Sequence, residues 1–223
     1  ISNPASNEEL LTAGAKFVVD NKFDLKSVMR AILQSAAYQR ASEPLPDNKP
    51  DERFYSRYYP RRLKAEVMLD AVSQVTGVPT EFKPGPTSGQ KENIKGKRAL
   101  QLADTEAVSY FLKAFGRPDR LITCDCERSD EPSMTQVLHL YNGDTINNKL
   151  QAAGGLVEQL AKEMDTAKVI EELYLAAYSR LPTAKEQGQV AEFINGAKPE
   201  ERRQVVEDVL WSILTSREFL FNH

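Results

Sequence analysis

TAKVIEELYLAAYS, residues 166–179, places Val169, Ile170, Leu173, Tyr174, Ala177 and Tyr178 on one side of a helix, at the three- and four-residue spacing of a buried face. Thr183 stands three residues ahead of Glu186, a capping-box spacing that predicts a second helix. Pro199 opens a third, with Val205, Val206, Val209, Leu210, Ile213 and Leu214 inside. These three helices make the last third the most regular part of the chain. They set the fold class: mostly α, a multi-helix bundle-like domain with long loops and at most a minor β element.

The same periodicity continues upstream. Ser6 to Asn21 reads as a helix with Leu10, Leu11, Phe17 and Val18 on its stripe. Asp24 caps a second one carrying Leu25, Val28, Met29, Ile32 and Leu33, and Pro44 and Pro46 stop it. Both are expected to pack inward. Pro60 suits the start of a helix over 61–76 that Gly77 and Pro79 end. Residues 79–97 are poor in apolar side chains and read as a mobile insert loop. RALQLAD, residues 98–104, is the one strand candidate. Asp104 caps a helix to Phe115, and Pro132 opens one that runs through Tyr141. An internal echo joins VMRAILQSAAY, residues 28–38, to VLWSILTSREF, residues 209–219. Duplication and a shared packing solution both explain it.

With 223 residues, 41% of them hydrophobic and 27% charged, the chain can bury a full core and is expected to form one helical domain over 1–223. A net charge of −3 argues against a nucleic-acid partner, since phosphate binding needs a concentrated excess of Lys and Arg. No window approaches the roughly 20 apolar residues of a membrane span. The chain opens at Ile1 without an initiator Met and reads as a C-terminal piece of a longer protein.

Chemistry concentrates in ITCDCERSDEPSMTQVLHLYNGD, residues 122–144. Cys124 and Cys126 are one residue apart, so an extended loop separates them by roughly 6.6 Å, the upper edge of what a disulfide tolerates. A structural bridge or buried thiols, a strained redox pair, and a metal site with His139 as a third donor are all open. Against the metal, His139 lies in an apolar stripe with Val137, Leu138 and Leu140, where a histidine is commonly a hydrogen-bonded core residue. Glu127 and Arg128 suit charge-assisted hydrogen bonds that hold this loop to the helices around it. CxxCH, HExxH, a phosphate-cradling glycine loop and a nucleophile elbow are all missing, so no catalytic motif is recognisable and enzymatic activity stays open. A second constellation is aromatic and basic. Tyr55, Arg57, Tyr58, Tyr59, Arg61 and Arg62 could stack on sugar rings and fork onto carboxylate or sulfate of an anionic polysaccharide, or could cover the core beneath a long connection.

The stretches FDLKSVMRAILQSAAYQ, YYPRRLKAEVMLDAVSQVTG, RALQLAD, YFLKAFGRPDR, CDCERSDEPSMTQVLHLYNG, IEELYLAAYSRLPT and EDVLWSILTSREFLFNH resemble, in order and over nearly the whole chain, the planctomycete cytochrome-associated C-terminal domain of unknown function, the PSD family. The resemblance implies a periplasmic or secreted protein in which this unit acts as an interaction or structural module beside preceding domains, often of cytochrome c or immunoglobulin type. In that oxidising compartment the CxC pair tilts toward a disulfide. Any haem would belong to another part of the polypeptide, with no cofactor in this fragment.

Overall fold

The computed structural model describes residues 5, 7–51, 55–86, 88–89, 91–103, 107–118, 128 and 132–222. Its contacts divide the chain into two units, with the break between Pro60 and Arg61.

The first unit begins with α1 (Glu8–Asp20) and α2 (Leu25–Leu33). Asn7, rather than Ser6, caps α1, its side chain accepting from the Leu10 N–H at 2.9 Å. Lys22 and Phe23 both take left-handed backbone (φ 52° and 61°), which turns the chain sharply into Asp24. Asp24 caps α2 as expected, accepting from Lys26 N and Ser27 Oγ. The inward packing does not follow, because neither helix has a buried side chain. Beyond α2 the connection folds on its own carbonyls. Tyr58 N–H donates to Ala41, the Arg40 guanidinium to Tyr55, and the Tyr59 hydroxyl to Asp51.

In the second unit, Arg61–Arg62 is a short strand, β1, and not the first turn of a helix. It pairs antiparallel with β4 (Phe221–Asn222), and Leu63 N–H donates to Leu220 O at 2.9 Å, so the beginning of this unit is sewn to its end. The helix starts later, as α3 (Ala65–Thr76), and stops at Gly77, whose φ of 69° any side chain would strain. Ala65, Met68, Leu69, Val72 and Val75 line its buried face.

The stretch expected as a mobile loop is pinned at its apolar residues. Phe82 pairs with Ile94, both are buried, and β2 (Lys83–Pro84) pairs with β3 (Ala107–Val108). The described part of RALQLAD, residues 98–103, is not a strand. Ala99–Gln101 form a 3-10 turn because the Asp70 carboxylate, 29 residues upstream on α3, accepts from Ala99 N at 2.6 Å and Leu100 N at 3.1 Å. Next come α4 (Tyr110–Ala114), α5 (Met134–Asn142), α6 (Asp144–Gln151) and α7 (Leu156–Ala161).

The periodic last third folds as read: α8 (Thr166–Tyr178), α9 (Ala184–Asn195) behind the Thr183–Glu186 capping box, a 3-10 turn at Pro199–Glu201, α10 (Arg202–Leu214) and α11 (Arg217–Leu220). Val169, Ile170, Leu173, Val206, Leu210 and Leu214 are fully shielded from solvent. Two helices act as hubs: α3 packs on α4, α6, α7 and α8, while α10 packs on α6, α7, α8, α9 and α11. The fold is mostly α, with two two-stranded sheets among the described residues, and no described helix is long and apolar enough to cross a membrane.

The internal echo has a local cause. Ser216 Oγ accepts from Phe219 N at 3.2 Å, and Ser35 Oγ accepts from Tyr38 N at 3.3 Å, so in both places a serine after a helix restarts the chain three residues ahead of an aromatic.

Because Asp70 answers the Ala99 and Leu100 N–H groups of the 98–101 turn, Asp70→Ala is expected to lower stability by about 1–2 kcal/mol, as loss of an N-cap does. Urea denaturation measures it. A change below a few tenths would mean that the turn holds without its cap.

Candidate functional site

The described part of the 119–131 segment is Arg128, and it is fixed firmly. Its Nη1 and Nη2 donate to Glu66 Oε2 and Oε1 at 2.9 and 3.0 Å, a two-pronged pair of charge-assisted bonds. Arg117 brings its Nε to 3.7 Å from the same carboxylate and donates Nη2 to Ala103 O. All three side chains are nearly shielded from water, at 8–12% exposure. Burial pushes the Glu66 carboxyl up, but the Arg128 hydrogen bonds and the Arg117 charge outweigh it, and the group lies below its ordinary value. Glu66 also sits in the first turn of α3, where the helix dipole favours an anion.

A second joint lies alongside. Arg62 donates to Gln136 Oε1 and to Phe115 O and stacks over the Phe115 ring, while buried Gln136 donates to Ala114 O. Side chains from β1 and α5 thereby answer carbonyls at the end of α4, groups that a helix C-terminus leaves open. The Ser133–Gln136 capping box starts α5 at the same place.

Glu127, Cys124 and Cys126 lie outside the described residues, as does any disulfide or metal reading that needs them. His139 sits on α5 among the rings of Tyr110, Phe111 and Phe115, at centroid distances of 5.3, 5.5 and 6.2 Å. Its Nε2 shares a 3.0 Å hydrogen bond with Thr145 Oγ1. Burial pushes its pKa down, with Asp144 acting against it. His139 itself is part-buried, while Val137 and Leu138 of its stripe stay 46% and 55% exposed. Among the described residues no group of three His, Cys, Asp or Glu is placed to hold a metal.

The aromatic segment divides between the units. In the first, Tyr58 meets Tyr38 edge-on at 6.2 Å, Tyr55 leans on Tyr59 at 5.8 Å, and the Arg57 guanidinium covers the Tyr59 ring at 4.8 Å. Tyr55 keeps 56% of its surface exposed, in a left-handed backbone conformation. Arg57 Nε and Ser56 Oγ are buried with no hydrogen-bond partner among the described residues. In the second unit Arg61 takes part in the β1–β4 pairing and Arg62 in the Gln136 joint.

Sequence reasoning assigned Arg128 its anchoring role but missed its acceptor. The available signal was a glutamate between Ala65 and Met68 on an otherwise apolar face. A comparable ionic joint was missed at Arg180, which binds both carboxylate oxygens of Glu186 and of Glu218 and stacks on Tyr174 and Tyr178, linking α8, α9 and α11. The Arg180 hydrogen bonds hold the Glu186 carboxyl down at about 2.

Glu66→Gln removes the charge that both buried guanidiniums share and is expected to cost about 3–5 kcal/mol, the range for breaking a buried pair. The sign with pH follows from the lowered folded value. The Glu66 contribution is complete above the unfolded glutamate range, near 4.5, and disappears as pH falls through it toward the folded value. Chemical denaturation between pH 7 and pH 3 should therefore show the wild type and the variant converging in acid. A constant gap would contradict the assignment.

A family comparison matches residues 2–194 to PSD1, described as a protein of unknown function (DUF1553). No curated protein and no solved structure matches the chain. The match takes in both described units, from α1 through nearly all of α9, and with it the Glu66–Arg128 joint: the chain belongs to the PSD1 family of proteins of unknown function.

Proposed function

We propose that the chain is a helical interaction module of a larger exported protein, periplasmic or secreted, and that the domains preceding it there are its partners. The observation that carries this reading is the outer face of α2. Leu25, Met29, Ile32 and Leu33 recur at helical spacing and are each 47–64% exposed. A helix of nine residues is marginal on propensity alone, because helices shorter than about 12–15 residues depend on packing of an apolar face. Covering four such side chains is worth roughly 1.5–3 kcal/mol each, so a partner for this face stabilises both bodies. Leu10 and Leu11 on α1 extend the apolar surface of the same unit. The association with cytochrome-type modules, the planctomycete setting and a Cys124–Cys126 bridge belong to this reading through the family resemblance.

Anionic polysaccharide at Tyr55 and Arg57 is the second reading. It is supported by the exposed Tyr55 ring and by the buried Arg57 Nε that has no acceptor among the described residues. A redox or metal site at the sulfur pair comes third.

Paired substitution Met29→Ser with Ile32→Ser separates a partner face from a packing face. In this chain alone the pair is expected to change stability by no more than about 0.5 kcal/mol per site, as exposed positions do. In the full-length protein it should lower the thermal midpoint and open the region to protease. Equal, small effects in both would overturn the interaction reading.

A further inference from the structure

The surface between α9 and α10 carries a feature that the α2 face does not explain. Two adjoining cavities, about 460 and 550 Å³, share Gln189 and Phe193 and run as one open trough between these helices. Its floor is apolar: Val190, Phe193, Val209, Trp211 and Ile213. Phe193 leaves 56% of its surface exposed although its neighbour Ile194 is buried. The charged residues lining the trough are Glu192, Glu201 and Asp208, all acidic, with no Lys or Arg among them.

The surrounding cations do not cancel this sign. Arg180, which stacks on Tyr174 at one edge, is held by Glu186 and Glu218. Lys198 stands 3.7 Å from Glu201, an exposed pair that water screens. Asp208 accepts from the neutral amide of Gln204 at 2.9 Å.

From these observations we infer that the α9–α10 trough is a docking site for a basic amphipathic helix of a partner protein. Length fits as well as charge. From Val205 to Ile213 the floor follows α10 for roughly 12 Å at the 1.5 Å rise of a helix, about two turns. That spans apolar anchors at i, i+3 or i+4, and i+7 of a bound helix, the usual mode of helix-in-groove recognition. Lys or Arg flanking those anchors would meet Glu192 on one wall and Asp208 and Glu201 on the other, which favours this partner over an acidic one through both encounter rate and specificity.

Trp211 is the single tryptophan of the chain and lines the trough, so its fluorescence reads the site directly. The probe is a 14-residue helical peptide of Leu and Lys, without tryptophan, with Leu at the anchor spacing. Its control carries Glu in place of Lys. The Lys peptide should shift Trp211 emission saturably, and the Glu peptide should not. Phe193→Ser, an exposed position that leaves the core intact, should abolish the response. Glu192→Gln with Asp208→Asn should weaken binding roughly fivefold, as loss of two or three exposed charge pairs would. Equal responses to the two peptides, or no effect of the charge substitutions, would overturn the inference. So would a Trp211 shift that depends on protein concentration without peptide, which would make a second copy the occupant. None of these outcomes involves α2, so the inference and the reading of that face fail independently.

Discussion

The carboxylate of Glu66, enclosed in the first turn of α3, is shared by two guanidiniums that reach it from segments 51 and 62 residues away. A buried ion pair gains little net stability over a well-packed apolar contact, since desolvation offsets much of the attraction. Its effect is on specificity. Once Glu66 is enclosed, leaving it unpaired is costly, so its pairing with Arg117 and Arg128 favours the closed arrangement of the second unit. The Arg62–Gln136 joint repeats the logic beside it, with neutral carbonyls of α4 in place of a carboxylate. The chain thus uses side-chain polar groups to join the short elements between α3 and α6, whereas from α8 onward the helices combine apolar packing with the Arg180 joint to Glu186 and Glu218.

That division explains what could be read from residues alone. The Thr183–Glu186 capping box was sufficient for α9, and periodicity for α8 and α10, where each helix carries its own apolar face. Local sequence was also sufficient for the Asp24 cap. It failed where the deciding partner is distant. RALQLAD has the apolar content of a strand, but Asp70 holds its N–H groups and tightens it into a 3-10 turn. Arg61 and Arg62 looked like the opening of a helix because their strand partners, Asn222 and Phe221, stand at the other end of the unit. The anchoring role of Arg128 was legible from charge and context; its acceptor was not, because a glutamate on an apolar helix face has no local pattern that names its partner.

The aromatic segment shows the same limit from the other side. A run of tyrosines and arginines suggests a sugar platform, since composition carries no information on what each ring already touches. Tyr58 meets Tyr38 edge-on and Arg57 covers Tyr59, leaving Tyr55 as the outward ring. Described helices of both units carry exposed apolar surface, among them α2 in the first and the acid-lined α9–α10 trough in the second.

The most direct measurement is a double-mutant cycle on Glu66 and Arg128, using Glu66→Gln, Arg128→Gln and the pair, followed by urea denaturation at neutral pH. A shared buried interaction should give a coupling of about 1–3 kcal/mol. Additivity within about 0.5 kcal/mol would mean that the two residues act independently, and that the Glu66 joint does not hold the second unit together.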